Sequence, residues 1–147
     1  MANDARLLLR EIYPLWAEDR VRFGDTDRLG HVNNAAYATY FETARVELMQ
    51  RLLSGPESYF VLARIAIDYR AELRELGPIG IGSVITGLGR SSFTTGQAVF
   101  QGDLCAATAE GVVVLVDAAT RRATPLPETL RQALLALAMP QAAGAGG

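Results

Sequence analysis

Residues 21–53 read VRFGDTDRLGHVNNAAYATYFETARVELMQRLL. A short strand, Arg20-Val21-Arg22-Phe23, alternates polar and apolar residues and ends at Phe23. The turn Gly24-Asp25-Thr26-Asp27 follows, then a second polar turn, Gly30-His31-Val32-Asn33-Asn34. The spacing after it predicts a long amphipathic helix over about Asn34–Leu53. Asn33 and Asn34 suit its N-cap, and Ser54-Gly55-Pro56 closes it with glycine at the C-cap. Two carboxylates thus stand a few residues before a helix start, whose free N–H groups hold negative oxygen well. A base beside an oxyanion cradle is what acyl-transfer chemistry needs.

Along the helix, Tyr37, Tyr40, Phe41, Ala44, Leu48 and Leu52 make one apolar stripe, which Ala35, Ala36, Val46 and Met49 widen. A stripe this broad suggests a helix wrapped by a curved sheet. Glu42–Arg45 and Glu47–Arg51 are spaced for surface ion pairs worth ~0.2–0.5 kcal/mol each.

After Pro56 the period changes to two. Phe60–Arg70 places Val61, Ala63, Ile65, Ile67 and Tyr69 on one face. Ile79–Arg90 and Phe93–Gln101 read as further strands, the second ending in a hairpin turn at Gly102-Asp103. Leu104–Asp117 is the longest, and its run Val112–Val116 predicts a central strand covered on both faces. Pro127 opens a short helix over Glu128–Ala138. The order is strand, long helix, then four strands as an antiparallel meander. That order predicts an α+β layer, with an antiparallel sheet around one helix. Before it, Asp4 caps a short helix over Ala5–Ile12 that Pro14 ends. The expected divisions are an extension over 1–14, one domain over 15–139, and a disordered Ala/Gly tail over 140–147.

Composition narrows the function. The chain has 147 residues, half of them hydrophobic, and a net charge of −2, enough for one globular domain with its own core. All 14 basic residues are arginines with no clustered block, which argues against a nucleic-acid surface and excludes a Schiff-base or phosphate-loop lysine. A single cysteine, Cys105, gives neither an internal disulfide nor a cysteine metal cluster, and no metal is expected. Leu7-Leu8-Leu9 is too short for a membrane span, so a soluble cytoplasmic protein is expected. There is no G-x-S-x-G motif and no dinucleotide fingerprint around Gly80 or Gly87.

The stretch resembles the hotdog-fold acyl-CoA thioesterases of the 4-hydroxybenzoyl-CoA thioesterase type, in particular the small bacterial acyl-CoA thioesterases with the pattern F-x-D-T-D-x-x-G-H-V-N-N-x-x-Y-x-x-Y-F-E-x-A-R. Here that pattern stands as Phe23, Asp25, Thr26, Asp27, Gly30, His31, Val32, Asn33, Asn34, Tyr37, Tyr40, Phe41, Glu42, Ala44 and Arg45. The likeness covers roughly residues 18–137 and takes in Ile67-Asp68-Tyr69 and Pro125-Leu126-Pro127. It departs at Gly80-Ile81-Gly82-Ser83, where relatives often carry Gly-Asp; an altered turn is expected there.

The resemblance implies a hydrolase cleaving an acyl-CoA or acyl-carrier-protein thioester, with no cofactor beyond the coenzyme A of its substrate. It implies a homodimer, or a homotetramer, with sites between subunits. It places the catalytic carboxylate at Asp27, as base or nucleophile, and the oxyanion donor at the backbone N–H of Asn34. A turn aspartate that only bonds its own backbone is the structural alternative for Asp27. Gly30 lets the backbone turn. His31, the only histidine, either polarises the carbonyl, orients Asp27, or is a turn histidine. Asn33 (chiefly a cap), Tyr37 and Glu42 are secondary candidates. Another hotdog branch carries its catalytic Glu on the long helix, whereas pairing with Arg45 is the bland role for Glu42. Arg64, Arg70, Arg74 and Arg90 are candidates for the coenzyme phosphates. From another class, a non-catalytic acyl-thioester binder is the alternative.

Overall fold

The computed structural model describes residues 4–53 and 55–140. Its elements run β1 (Leu15–Val21), α1 (Asn34–Leu52), β2 (Ser58–Tyr69), β3 (Gly77–Leu88), β4 (Ser92–Gln101), β5 (Leu104–Asp117) and α2 (Glu128–Leu135). The strands form one antiparallel sheet in the order β1-β3-β4-β5-β2. With α1 across one face, this is the expected α+β hotdog arrangement. The meander holds only for β3-β4-β5. Helix α1, 19 residues and about 28 Å long, carries the chain from one edge strand to the other. So β2 pairs with β5 and the centre falls on β4, not on β5. The expected tail from 141 onward, like Ser54 in the predicted helix stop, lies outside the described residues.

Helix α1 buries Tyr37, Tyr40, Phe41, Ala44 and Leu48 against Val21, Ile79, Ile81 and Val99 at one end and Phe93, Val113 and Leu115 at the other. Each large apolar side chain among them contributes about 1.5–3 kcal/mol on removal from water. Ala35 and Val46, expected to widen the stripe, are exposed, because 3.6 residues per turn puts them on the far side. The helix stops one residue before expectation. Its C-cap is the extended Leu53, and Gly55 (φ +116°) lies beyond it. Neither expected surface ion pair forms among the described residues. Arg45 turns onto the buried face instead, 8% exposed, with Nη1 sealed and without an acceptor. Burial pushes its pKa down.

Three strands differ from their sequence patterns. β1 ends at Val21, and Phe23–Asp25 forms a 3₁₀ turn in place of the expected strand end. In β2 a bulge falls between Leu62 and Arg64. It reverses the alternation, so Phe60 and Leu62 face the core before it and Ile65 and Ile67 after it, while Val61 is exposed. Gly80-Ile81-Gly82-Ser83 is not a turn but lies mid-strand in β3. Its glycines admit two aromatic rings: a Cβ on Gly82 would stand 2.5 Å from Tyr13 Cγ, and one on Gly80 3.3 Å from Trp16 Cε3. Gly82→Ala is therefore expected to unseat Tyr13 and destabilise the protein by about 1–3 kcal/mol. A thermal melt checks this, and an unchanged midpoint would mean the ring gains nothing from its seat.

Before β1, the helix expected over Ala5–Ile12 is two 3₁₀ turns, Ala5–Leu8 and Arg10–Ile12, separated by the extended Leu9. Asp4 caps the first as anticipated, accepting the Arg6 N–H at 3.0 Å. After β5, α2 ends at Leu135, three residues early, with Pro127 at its N-cap and Leu130 and Leu134 buried.

Candidate active site

The loop between β1 and α1 is organised by Asp25. Its Oδ2 accepts the Arg22 N–H at 3.0 Å and the Tyr40 hydroxyl at 2.6 Å, and its carbonyl accepts the Asn33 N–H at 2.9 Å. One residue thereby ties the end of β1, the start of α1 and the second turn of that helix together. Tyr40 is 1% exposed, and burial followed by its bond to Asp25 drives its pKa far up. A second tie runs from the Val32 N–H to the Leu73 carbonyl at 2.8 Å, which fastens the loop to the β2–β3 connection.

Within that frame Asp27 heads a tight turn. Its N–H donates to the His31 carbonyl and its carbonyl accepts the Gly30 N–H, both at 3.0 Å. Gly30 has φ +83°, a conformation that disfavours any Cβ. Asp27 Oδ1 accepts the Leu29 N–H at 2.9 Å, an Asx turn, while Oδ2 takes no protein hydrogen bond among the described residues. The carboxylate is half-buried.

Asn33 is the N-cap of α1, its side-chain oxygen accepting the Ala35 N–H at 3.0 Å. The next N–H, that of Asn34, meets no acceptor among the described residues. Asn34 itself lines a cleft of about 230 Å³, together with His31, Tyr37, Tyr69, Arg70 and Glu72. His31 lies with Nδ1 3.3 Å from the Val32 carbonyl and Nε2 3.8 Å from Glu72 Oε1. Glu72 is held in turn by Arg74 at 2.6 Å. Tyr69 donates to the Asn34 carbonyl at 3.2 Å and sets its ring edge-on to Tyr37 at 5.3 Å. Tyr37 is 2% exposed, and burial raises its pKa.

The fold thus gathers His31, Asn34 and Tyr37 around one cleft. Asp27 and Gly30 sit in the adjoining turn, one hydrogen bond away, and do not line it. Glu42 is exposed, eight residues or about 12 Å further along the helix, and does not line this cleft. Of the four candidate arginines, Arg70 lines the cleft, Arg74 braces Glu72 beside it, and Arg64 is exposed in β2 just after the bulge and does not line the cleft. Arg90 follows β3, which starts beside Val21 and runs to the opposite end of the sheet. The sequence pattern does not mark Tyr69 or Glu72 as site residues. Each reaches the cleft through strand pairing and a connection that only the folded chain brings beside α1. No three His, Cys, Asp or Glu side chains converge to hold a metal among the described residues.

A single long helix laid across a five-stranded antiparallel sheet is the hotdog fold, and the relatives that share it with this chain are hydrolases acting on thioester bonds. The chain belongs to the thioesterase-like superfamily, whose family model matches residues 21–134. It is 30% identical over 118 residues to the acyl-CoA thioester hydrolase YbgC of Escherichia coli, covering 76% of this chain and 88% of that one. Among solved structures it is similar to a thioesterase from Thermus thermophilus complexed with coenzyme A and zinc, with 36% identity and a TM-score of 0.75 over 86% of this chain and 96% of that one. A Pseudomonas aeruginosa protein gives a TM-score of 0.80 at 29% identity, over 90% and 97% of the two chains.

Proposed function

We propose that the protein hydrolyses an acyl-CoA thioester to a free acid and coenzyme A, with Asp27 as base or nucleophile and the helix start as oxyanion cradle. The observation that carries this reading is the Asn34 N–H. It is unpaired among the described residues, belongs to a residue that lines the cleft, and stands at the positive end of a helix whose macrodipole is worth about half a charge. Water, activated by Asp27, adds to the thioester carbon. Negative charge moves to the carbonyl oxygen against the Asn34 N–H, and the C–S bond breaks as the thiol takes up a proton. If Asp27 attacks directly, an acyl anhydride forms first and water cleaves it. His31, which lines the same cleft, polarises the carbonyl in this reading. Arg70 and Arg74 are suited to the coenzyme phosphates. An acyl-carrier-protein thioester would meet the same loop. Incubation with a panel of acyl-CoAs and of acyl-carrier-protein thioesters, following free thiol, tests the assignment.

A second reading, a binder without turnover, has two observations in its favour. The Leu29 N–H occupies Asp27 Oδ1, and the carboxylate stands outside the cleft. Acyl-CoA binding without thiol release would establish it.

The working unit we propose is a homodimer. β2 is a 12-residue edge strand whose outer backbone is unpaired among the described residues and whose Tyr59, Val61 and Tyr69 are exposed. Such an edge is a ready template for a second copy. The loop likewise presents Phe23, 81% exposed, and Leu29, 73% exposed, for a partner or an acyl chain to cover. Activity per protomer is expected to fall on dilution as mass in light scattering falls to that of one chain. A fully active single chain would remove the shared site. Among the described residues no helix is long and apolar enough to cross a membrane.

A further inference from the structure

The segment before β1 lies across the outer face of the sheet, opposite α1, and that face is notched to receive it. Gly80 and Gly82 lie two apart on β3, and Gly96 on β4 pairs with Val84, so all three point the same way. A Cβ on Gly96 would come within 2.6 Å of Leu7 Cδ2, one on Gly82 within 2.5 Å of Tyr13, and one on Gly80 within 3.3 Å of Trp16. Leu7 and Tyr13 are 1% and 5% exposed and pack with Val84, Ala98 and Phe100. The Tyr13 hydroxyl donates to the Leu7 carbonyl at 2.6 Å, which folds the segment back on itself. Arg10 lies over the Trp16 ring at 4.5 Å and donates to the Gly102 carbonyl at 3.0 Å. Residues 4–20 precede the family match, which begins at 21.

We propose that residues 4–13 form a strap that occupies the outer sheet face in place of a second copy, so that the protein assembles through strand edges and not by stacking sheet on sheet. An uncovered face bearing Val84, Ala98 and Phe100 is an apolar layer that another sheet would bury. The strap competes from the same chain, at an effective concentration of roughly millimolar, so it excludes a second copy at micromolar protein. This holds whether or not Asp27 is catalytic, because none of the strap contacts touch the loop.

The test uses the full chain with Leu7→Asp and Tyr13→Ser together, and separately with Gly96→Val, which fills the Leu7 notch without adding charge. Strap release is read by faster labelling of Cys105, the partly buried thiol packed beside it, and by tryptic cleavage after Arg6 and Arg10. Circular dichroism reports whether the fold persists. In light scattering, the released variants are expected to reach at least twice the wild-type mass at the same protein concentration. A released strap with wild-type mass overturns the proposal. So does a wild-type chain that stacks sheet on sheet with its strap still seated. A Cys105 as unreactive in both variants as in the wild type would show that the notches do not hold the strap, which also overturns it.

Discussion

Asp27→Asn is expected to lower kcat by about 10²–10⁴-fold while the melting temperature stays near that of the wild type. The substitution keeps the shape of the side chain, and an amide oxygen still accepts the Leu29 N–H that Oδ1 now takes at 2.9 Å. The turn that presents Gly30, His31 and the helix start therefore survives. What is lost is the charge on Oδ2, the oxygen left without a protein partner among the described residues. KM should change little, since the cleft walls are formed by other residues. Steady-state kinetics by thiol release, beside a thermal melt, separates the two effects. Near-normal turnover would move the chemistry to another carboxylate, with Glu42 first in line, and Glu42→Gln would then carry the loss.

The second large effect is on the frame. Asp25→Ala removes the acceptor of the Tyr40 hydroxyl and of the Arg22 N–H, and it strands a phenol that is 1% exposed. A cost of roughly 1.5–3 kcal/mol is expected from the charged hydrogen bond alone. Tyr40→Phe should cost less, because it leaves no orphaned donor in the core. Combined, the two changes should cost less than their sum, and a double-mutant cycle in denaturant measures that coupling. Full additivity would mean the 2.6 Å contact is not energetically joined. The same pair fixes a pH dependence. The folded pKa of Tyr40 is raised, so the protein binds that proton more tightly than the unfolded chain does. Stability from this group is complete below the unfolded tyrosine value of about 10 and declines as pH rises beyond it. Tyr40→Phe should flatten that alkaline decline. Activity of Asp25→Ala should fall as well, since the residue 25 carbonyl that accepts the Asn33 N–H loses the side-chain ties to Arg22 and Tyr40 that hold it in place.

Much of this was legible in the chain because it is local. Helix α1 follows from an apolar period of 3.6 and an asparagine cap, both decided within a few residues. Gly30 announces its positive φ by being glycine beside a polar turn. Asp27 and the helix start at Asn34 are close neighbours along the chain, so their adjacency needed no long-range contact. The glycines of β3 show the limit. Set against the family pattern, Gly80 and Gly82 suggest an altered turn. Only the arrival of Tyr13 and Trp16 from the chain's first 16 residues shows them to be seats for rings.

Order along the chain was therefore enough to establish the α+β class, the stripe of α1 and the loop that carries Asp27, since each rests on near neighbours. Folding was needed to settle the strand order β1-β3-β4-β5-β2, the face reversal at the β2 bulge, the burial of Arg45 and the presence of Tyr69 and Glu72 at the cleft. These depend on which strand edge meets which and on where a side chain finds space. Residues far apart in sequence settle those questions by competing for the same surface, and that competition has no trace in local periodicity.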